Sequence, residues 1–433
     1  MNYRSLGPTG LKVSELCLGT MTFGENFFNI AVVDQAGANA MVARCLEAGI
    51  NLFDTADVYS YGRSEEVLGE AVKNSGVARD KIVIATKVRG SMSEGAAAGT
   101  SDVNNVGLSR QHIFASVDHS LRRLNTDYID LYQVHGWDSL TPMEETLRAL
   151  DDLVRQGKVR YVGCSNWSAR HLMKALVLSQ EKDWAGFVSL QAYYSLVGRD
   201  LEHELLPLCR EENVGVLPWS PLSGGFLSGK YTRDNPSPEG ARRTNFQFPA
   251  IDEARGFDAI DVLEGIAEAK GASVAQVALA WLLAQAGVTS VIIGANKMSQ
   301  LEDNLKAATR RRTPKRSFLL APHSSAQLPL IAYCLLPSRP AFCRSIIHCG
   351  YIWAGAVVRE RCATSSALNS RSAAFRLSSN CDILFAPMMI DVTPDWASNQ
   401  ANATCAIVAP FCFAISSSAS TASKPRASSI AGN

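Results

Sequence analysis

Four residues whose side chains can hold or move a proton follow short apolar runs in the first third of the chain. Asp54, Lys87 and His135 end three such runs, and Tyr59 comes five residues after Asp54. An ammonium at the end of a buried segment is costly without a partner, and Asp54 is the obvious partner for Lys87. Each residue alone also has an ordinary structural explanation, as a helix cap, a packing ring or a buried histidine.

Together, the four side chains make a chemically sensible unit. A phenol with a pKa of about 10 is a poor acid at neutral pH. A nearby ammonium stabilises the phenolate and lowers that pKa, while a carboxylate holds the ammonium in place. A histidine beside them could orient a carbonyl oxygen through a hydrogen bond. Such a site would protonate an oxygen as a hydride reaches its carbon, and hydride transfer requires a cofactor.

These side chains need a scaffold that brings strand ends together, and the sequence predicts one. Short apolar runs such as IVIATK and SVIIG alternate with segments of helical period, as in parallel strands buried on both faces. The alternation predicts an α/β fold, a (β/α)8 barrel whose C-terminal rim collects the four residues, with a doubly wound sheet as the alternative. The predicted strands are Leu16–Thr20, Asn51–Asp54, Ile82–Lys87, Ile129–His135, Tyr161–Ser165, Phe187–Gln191, Val214–Trp219 and Ser290–Gly294.

Three further segments refine the predicted barrel. Tyr3–Ser14 carries a β-hairpin pattern around a Gly-Pro-Thr-Gly turn, and we expect this hairpin to close the barrel bottom. Asp258–Lys270 and Ser273–Ala286 predict two helices before the eighth strand, where a minimal barrel needs one. The Gly- and Ala-rich segment Gly90–Gly107 is predicted to form a mobile lid over the rim.

The chain divides chemically near residue 308. Of its 433 residues, 42 are Lys or Arg and 41 are Asp or Glu, but residues 309–433 hold 13 basic and only 4 acidic residues. Seven of the eleven cysteines also lie there, and regular periodicity stops after Ala308. We therefore predict a barrel domain over residues 1–308. Residues 309–433 are predicted to be a disordered or non-native Ser-, Ala-, Cys- and Arg-rich extension that adds nothing to catalysis.

Composition excludes several classes of protein. With 47% apolar residues the chain is not wholly disordered, and the absence of a C-x-x-C pair argues against a zinc ribbon, so no metal site is predicted. The N-terminus has no apolar leader, and prolines and polar residues interrupt the uncharged run Phe318–Leu336. Basic residues after Arg316 are scattered, which argues against nucleic-acid contacts. We expect a cytoplasmic protein without a membrane or nucleic-acid partner, of undetermined oligomeric state.

Five motifs together resemble the aldo-keto reductase family, especially the branch with the potassium-channel beta subunits and their bacterial relatives. They are FDTADVYSYGRSEEVLGEA, IATK, YIDLYQVHGWD, VGCSNW and LPWSPLSGGFLSGK. The resemblance implies an NADP(H)-dependent reductase of aldehydes or ketones, or an alcohol dehydrogenase, acting on a small carbonyl or alcohol substrate. It implies Tyr59 as general acid/base, Lys87 and Asp54 as the groups that tune it, and His135 as the group that orients the carbonyl. A cofactor-binding regulatory subunit with vestigial catalysis is the alternative.

The resemblance also implies where NADP(H), or NAD(H), binds. No G-x-G-x-x-G follows a strand, and GGFLSGKY has Tyr231 where a P-loop has the Ser or Thr that binds magnesium. In the family, the loop after the seventh strand wraps the dinucleotide, an aromatic residue stacks on the nicotinamide, and three polar residues hold its carboxamide. The implied cofactor residues are Gly19, Thr20, Met21, Asp54, Ser165, Asn166, Gln191, Trp219, Ser220, Pro221, Leu222, Gly224, Gly229, Lys230, Gly294, Asn296, Lys297, Gln300, Asp303 and Asn304.

The start of the last predicted helix bears on the nucleotide preference. A helix N-terminus suits a phosphate because its N–H groups and dipole face the anion. Family members often carry Arg two residues after the position of Gly294, where it grips the adenosine 2′-phosphate. This chain has Asn296 there, with Lys297 next to it. Because lysine is a point charge rather than a fork, we expect NADP(H) to be preferred over NAD(H) by less than in those members.

Loops beyond the predicted strand ends carry large aromatic side chains. Aromatic and aliphatic residues line most small-molecule pockets. We therefore predict an apolar substrate pocket, although ordinary packing explains each ring nearly as well. The predicted wall residues are Phe23, Phe28, Tyr61, Trp137 and Trp167.

Overall fold

A computed structural model of the chain describes residues 1–25, 27 and 30–309. The predicted extension, apart from Thr309, and the predicted wall residue Phe28 lie outside the described residues. Within them, eight parallel strands alternate with helices in a (β/α)8 barrel, which confirms the predicted fold class.

The barrel strands follow one another in chain order around the sheet. Most of their residues are buried, because helices cover the outer face while side chains fill the interior. All eight predicted strands are confirmed, each within a few residues of its predicted ends. They are β3 (Leu16–Gly19), β4 (Leu52–Asp54), β5 (Val83–Val88), β6 (Ile129–Val134), β7 (Val159–Ser165), β8 (Phe187–Tyr193), β9 (Gly215–Trp219) and β10 (Val291–Ile293).

Helices connect these strands and pack around the barrel. The α-helices are α1 (Gln35–Glu47), α2 (Arg63–Asn74), α3 (Glu94–Ala98), α4 (Arg110–Leu124), α5 (Met143–Arg155), α6 (Ala169–Glu181), α7 (Leu205–Glu211), α8 (Arg242–Asn245), α9 (Glu253–Lys270), α10 (Val274–Ala284) and α11 (Met298–Thr309). The two helices predicted before the last strand are α9 and α10; α9 starts earlier than predicted because Asp252 caps it. Among the described residues, no single helix is long and apolar enough to cross a membrane, although α9 and α10 pass that test as a pair bent by 97°.

The predicted N-terminal hairpin closes the bottom of the barrel. Its strands β1 (Tyr3–Ser5) and β2 (Lys12–Ser14) pair in antiparallel fashion. Leu6 and Val13 are fully buried against the first residues of several barrel strands. Gly7 has φ +54°, and a Cβ there would lie 2.1 Å from a carbonyl oxygen of β8. The hairpin backbone therefore packs directly against the sheet.

The main core lies between the barrel and its helices. Apolar residues on the outer face of the strands pack against the inner faces of the helices in one large cluster. Cys17, Cys45, Cys164 and Cys209 are buried free thiols. These cysteines therefore serve as small apolar side chains.

The barrel closes between β9 and β10 with few hydrogen bonds. β10 pairs with β3 over three residue pairs, whereas β9 meets the segment before β10 at a bridge between Val216 and Val288. Val216 N donates to the Gly287 carbonyl at 3.2 Å, and Thr289 N donates to the Val216 carbonyl at 2.8 Å. The sheet runs round the barrel, with sparse bonding on the side where the loops after β9 and β10 begin.

Candidate active site

The barrel rim brings together the four residues predicted to do proton chemistry. Asp54 and Lys87 lie at the ends of β4 and β5, His135 directly follows β6, and Tyr59 begins a tight turn beyond β4. Lys87 Nζ donates to Asp54 Oδ2 at 2.7 Å, to the Thr55 carbonyl at 2.7 Å and to the Tyr59 hydroxyl at 3.3 Å. The Tyr59 and His135 rings meet edge to face, with centroids 5.7 Å apart.

Burial governs the protonation of this cluster. Burial alone would lower the pKa of Lys87, but the charge of Asp54, the ionised form of Tyr59 and hydrogen bonds to both residues raise it, and the net shift is upward. Burial raises the pKa of Tyr59 and outweighs the opposing charge of Lys87. Burial, aided by Lys87 and Arg89, lowers the pKa of His135 to about 3. At neutral pH the site therefore holds an ammonium, a protonated phenol and a neutral imidazole.

Two glutamine side chains hold the second oxygen of Asp54. Gln191 Nε2 and Gln133 Nε2 donate to Asp54 Oδ1 at 2.8 and 3.1 Å. Gln191 Nε2 also donates to Gln133 Oε1 at 3.3 Å. The three residues belong to β4, β6 and β8, alternate strands whose inward side chains share one layer of such a barrel. Sequence reasoning missed Gln133. Its position two residues before His135, and therefore on the same side of β6, was the available signal.

A buried polar network anchors the loop that carries Tyr59. Ser116 Oγ donates to Asp57 Oδ2 at 3.0 Å, and Arg123 Nε donates to Glu65 Oε2 at 2.7 Å. Burial, together with the charge of Glu65, raises the pKa of Asp57 to about 8. Asp57 is therefore mostly protonated at neutral pH, and the loop is tied to α4 without adding a full negative charge behind Tyr59.

A cavity of about 420 Å³ opens beside Tyr59 and His135. Of the predicted wall residues, Tyr61 lines it, and Met21, predicted for the cofactor, does so as well. The segment predicted to be a lid contributes one side of the cavity and contains helix α3. This segment supplies the lining residues Ser91, Ser93, Glu94 and Ala97. The lining residues that sequence reasoning missed are Phe27, Val58, Phe246 and Phe248.

Three of the predicted wall residues lie away from this cavity. Phe23 is fully buried, and its backbone bridges to Val33. Trp167 is only 2% exposed, and Trp137 stacks on His171 with ring centroids 3.9 Å apart. The structure thus places these rings in packing around β3, β6 and β7, where more of their apolar surface is removed from water than at an open rim.

Residues expected near a nicotinamide cluster around Trp219. Trp219 Nε1 donates to Asn166 Oδ1 at 3.0 Å, and Asn166 Nδ2 donates to the His135 carbonyl at 3.2 Å. The indole also stacks on Phe248, with centroids 5.5 Å apart and planes 11° apart. The buried Ser165 hydroxyl has no hydrogen-bond partner among the described residues. A ligand amide would satisfy this hydroxyl, so the residues present fit the implied carboxamide.

The loop after β9 has a backbone suited to a close approach by an anion. Ser220, Ser223, Gly224, Gly225 and Gly229 all have left-handed φ angles, between 51° and 95°. Successive N–H groups in such conformations form concave anion sites. A Cβ added to Gly225 would meet nothing within 4 Å, which leaves open space beside the backbone. The other predicted residues of this loop are the buried Pro221, the half-buried Leu222 and the exposed Lys230.

Arg242, the first residue of α8, is a cation that sequence reasoning missed. Burial lowers the pKa of Arg242, while the nearby Tyr59 acts to raise it. Its Nε has no hydrogen-bond partner in the described part of the chain. The neighbouring Arg243 is instead fixed by donating to the Pro249 carbonyl at 2.6 Å. The Arg242 guanidinium lies over the Phe246 ring, and its Nε could donate to a phosphate; the arginine pair after a glycine-rich loop was the available signal.

The predicted adenosine site lies between β10 and α11. Asn296 and Lys297 are exposed directly before α11. Gln300 Oε1 accepts from Asn296 N at 2.8 Å, and Asn304 Nδ2 donates to the Gly294 carbonyl at 3.2 Å. These two bonds shape the loop, and they leave the Lys297 ammonium as the cation at the helix start.

The fold itself uses several residues predicted to contact the cofactor. Both oxygens of Asp303 accept hydrogen bonds of 2.6 Å from side chains at the start of α10, which ties α11 to α10. Thr20 donates to the Asp54 carbonyl through N at 2.8 Å and Oγ1 at 3.1 Å. A Cβ on Gly19 would lie 2.7 Å from a β10 side chain, so this glycine permits close strand packing.

Known proteins resemble most of the described region. A model of the aldo/keto reductase family matches residues 15–318. The oxidoreductase YrpG of Bacillus subtilis, named as uncharacterized, is 39% identical over 311 residues, covering 71% of this chain and 91% of that protein. Versiconal hemiacetal acetate reductase of Aspergillus parasiticus is 34% identical over 329 residues, covering 73% and 94%. A probable voltage-gated potassium channel subunit beta of Oryza sativa is 37% identical over 314 residues, covering 71% and 91%.

Family membership supports an oxidoreductase enzyme that binds a small-molecule substrate. The family model spans the hydrogen-bonded cluster of Asp54, Tyr59 and Lys87, the adjoining His135 and the cavity beside them. The match covers well over half of the sequence and nearly the whole barrel. The chain therefore belongs to the aldo/keto reductase family.

Proposed function

We propose that the protein reduces a carbonyl group with a hydride from NADPH, and oxidises the corresponding alcohol in reverse, with Tyr59 as the general acid/base. The observation that carries this proposal is the position of Lys87 Nζ, 2.7 Å from Asp54 and 3.3 Å from the Tyr59 hydroxyl beside an open cavity. An aldehyde or ketone entering the cavity meets the phenol and the imidazole of His135 together.

Each residue of the cluster then has a distinct part in the proton transfer. NADPH, when bound, supplies the hydride. Neutral His135 donates a hydrogen bond to the carbonyl oxygen and orients it. Tyr59 gives its proton to that oxygen as negative charge develops there, and Lys87 stabilises the phenolate that remains. Asp54 keeps the ammonium in place and charged, and the same groups act in reverse during alcohol oxidation.

NADP(H) is the proposed cofactor, with weaker binding of NAD(H). The unpaired hydroxyl of Ser165 and the unpaired Nε of Arg242 support a ligand that offers both an amide and a phosphate. Trp219 would hold the nicotinamide ring, and the loop after β9 would hold the pyrophosphate. Lys297 would attract the 2′-phosphate, while Asn296 adds no charge, so the preference for NADP(H) is modest.

Steady-state oxidation of NADPH with a panel of aldehydes, ketones and quinones tests this function. We expect turnover of at least one class, and Tyr59→Phe should lose ~10²–10⁴-fold in turnover while keeping its NADPH affinity. Tyr3→Phe is the matched control, because Tyr3 lies half-exposed on the hairpin at the opposite end of the barrel. A Tyr59→Phe variant that kept half of the wild-type turnover on every substrate would show that Tyr59 is not the acid.

A second function is favoured by the relatives named as channel beta subunits, in Oryza sativa and in Arabidopsis thaliana at 36% identity. In that case the chain would bind NADP(H) and regulate a partner, with vestigial catalysis. Tight NADPH binding without turnover on any panel member would favour this alternative.

The buried free cysteines suit a reducing compartment, so a cytoplasmic location is part of either proposal.

A further inference from the structure

One carboxylate stands in the otherwise uncharged wall of the cavity. Glu94, the first residue of α3, lines the cavity together with Ser91, Ser93 and Ala97. Among the described residues that line the cavity, Glu94 is the one acidic side chain, and the basic side chain among them is His135, whose pKa burial lowers to about 3. A charge placed in an apolar wall bears on which substrates can enter.

Local bonds hold Glu94 at this wall. The Ser93 hydroxyl accepts a hydrogen bond from Ala96 N at 3.1 Å and so caps the helical turn that begins at Glu94. The base of the segment is close-packed, since a Cβ on Gly90 would lie 2.7 Å from the side chain of Val58. Val58 itself lines the cavity. The carboxylate is therefore carried by a turn with a defined place on the wall.

The same cavity is lined by aromatic rings. Phe27, Tyr61, Phe246 and Phe248 line it, and Tyr61 and Phe248 are 58% and 50% exposed. The negative faces of exposed aromatic rings attract cations, and aromatic cages are a recurrent way to hold quaternary ammonium groups. The aromatic rings and the Glu94 carboxylate therefore both favour a positively charged ligand.

Two arginines near the cluster do not reverse this preference. Arg89 donates to the Trp137 carbonyl at 3.0 Å, and neither it nor Arg242 lines the cavity. The Arg242 guanidinium lies over the Phe246 ring, 5.5 Å from its centroid, and under the proposed function the pyrophosphate would offset its charge. Lys87 is paired with Asp54 at 2.7 Å behind Tyr59, so Glu94 is the carboxylate that the cavity wall itself presents to a substrate.

We propose that Glu94 is a specificity-determining residue and that the preferred substrates are apolar or aromatic carbonyl compounds that carry a cationic group. A neutral compound of the same shape is used less well, and an anionic one worst. This inference rests on the proposed function for its turnover readout. Because Glu94 is exposed, the discrimination is modest and sensitive to salt.

A matched pair of aldehydes tests the proposal. In 4-(trimethylammonio)benzaldehyde and 4-tert-butylbenzaldehyde the substituents have the same shape and differ in charge, and 4-carboxybenzaldehyde adds an anion. The ratio of kcat/KM for the cationic over the neutral aldehyde is measured in wild type, Glu94→Gln and Glu94→Lys. Comparing ratios between variants removes the intrinsic reactivity of each aldehyde. Glu264→Gln, at an exposed position on α9 outside the cavity, controls for net charge.

We expect the ratio to fall by roughly three- to ten-fold in Glu94→Gln at low salt, and further in Glu94→Lys. It should be unchanged in Glu264→Gln, and high salt should shrink the difference between wild type and Glu94→Gln. The carboxylate substrate should gain in Glu94→Gln. Equal ratios in wild type and Glu94→Gln, or a wild-type preference for the anion, would overturn the assignment.

Failure of the proposed function is distinguishable from failure of this inference. If no aldehyde is turned over with NADPH, the proposed function fails, and calorimetric binding of the two matching benzyl alcohols decides the question of charge. Tighter binding of the ammonium alcohol that depends on Glu94 would support the inference without catalysis. Binding that ignores the charge, in wild type and Glu94→Gln alike, would refute it.

Discussion

The cavity is built from two regions of different construction. Its floor consists of Tyr59 and His135, backed by the buried Asp54 and Lys87 at strand ends, with Gln133 and Gln191 bonded to Asp54. Its outer wall consists of Phe27, Tyr61, Glu94, Phe246 and Phe248, all of which lie in the segments between the barrel strands. Floor residues are mostly buried and hydrogen-bonded, whereas several wall residues are half-exposed.

This difference separates chemistry from selection. A change in the floor leaves a buried charge or donor unpaired, so we expect it to act on turnover. A change in the wall removes contact area or an exposed charge, so we expect it to act on substrate affinity and choice. Substitutions in each region, measured as separate kcat and KM values, test whether the division holds.

The largest expected effect is that of Lys87→Met. Without the ammonium, the pKa of Tyr59 rises further and the phenolate loses its stabilising charge, so we expect turnover to fall by ~10³-fold or more. The variant should also be less stable, because Asp54 loses its cationic partner. Thermal unfolding and single-turnover assays measure the two effects. Lys81→Met, at an exposed position, is the control, and near-normal turnover in Lys87→Met would contradict the role given to Lys87.

Gln133→Leu should have the next largest effect on the floor. Loss of the 3.1 Å hydrogen bond to Asp54 removes about 1.5–3 kcal/mol of support for a charged group, so we expect kcat to fall by roughly ten-fold with KM little changed. The pH profile should shift as well, since Gln133 acts through Asp54 and Lys87. Ser189→Ala, which removes a buried hydroxyl with no partner among the described residues, should leave the profile in place. If Gln133→Leu raised KM and left kcat unchanged, Gln133 would not be a residue that supports the catalytic cluster.

Phe248→Ala tests the outer wall. The ring is half-exposed and stacks on Trp219, so its loss should raise KM for apolar aldehydes by roughly five- to ten-fold while kcat stays within about two-fold. A parallel NADPH titration separates substrate contacts from any effect on Trp219. Leu140→Ala, at an apolar position that is 92% exposed and outside the cavity, should change neither constant. A fall in kcat at constant KM would erase the distinction between the two regions.

The smallest expected effect is that of Lys297→Ala, away from both regions. Loss of one exposed charge should weaken NADPH binding by about two- to five-fold and leave NADH binding unchanged. Fluorescence titration with both nucleotides measures this. Lys306→Ala, an exposed position farther along α11, is the control. Equal affinity for NADH and NADPH in the wild type, unaffected by Lys297→Ala, would refute the assigned role.

The floor could be predicted from the sequence because its placement follows from strand ends. Asp54, Lys87 and His135 each close an apolar run, and parallel strands in a barrel bring their C-terminal ends to one rim. The same rule extends to Gln133, whose spacing from His135 was not used. The eight strands, the hairpin and the paired helices before β10 followed from period and turn residues in the same way.

The wall could not be predicted in this way, because loop residues carry no period that fixes their direction. Phe23 and Phe27 are near neighbours in one loop, yet Phe23 is buried in the core and Phe27 lines the cavity. Trp137 and Trp167 follow strand ends as His135 does, but they pack against His171 and each other. An aromatic residue has the same composition whether its ring packs in the core or lines the cavity. Only the tertiary contacts distinguish the two positions.

The sparse bonding between β9 and β10 has a mechanical consequence. Trp219 and the loop after β9 begin on one side of this opening, and Asn296 and Lys297 lie just past the other. A dinucleotide bound as proposed would therefore span the sparsely hydrogen-bonded side of the barrel and link the loops that follow β9 and β10. Amide hydrogens of Val216 and Thr289 should then exchange with solvent more slowly once the nucleotide is added. The exchange rate at these two residues would therefore report how much of the protein has cofactor bound.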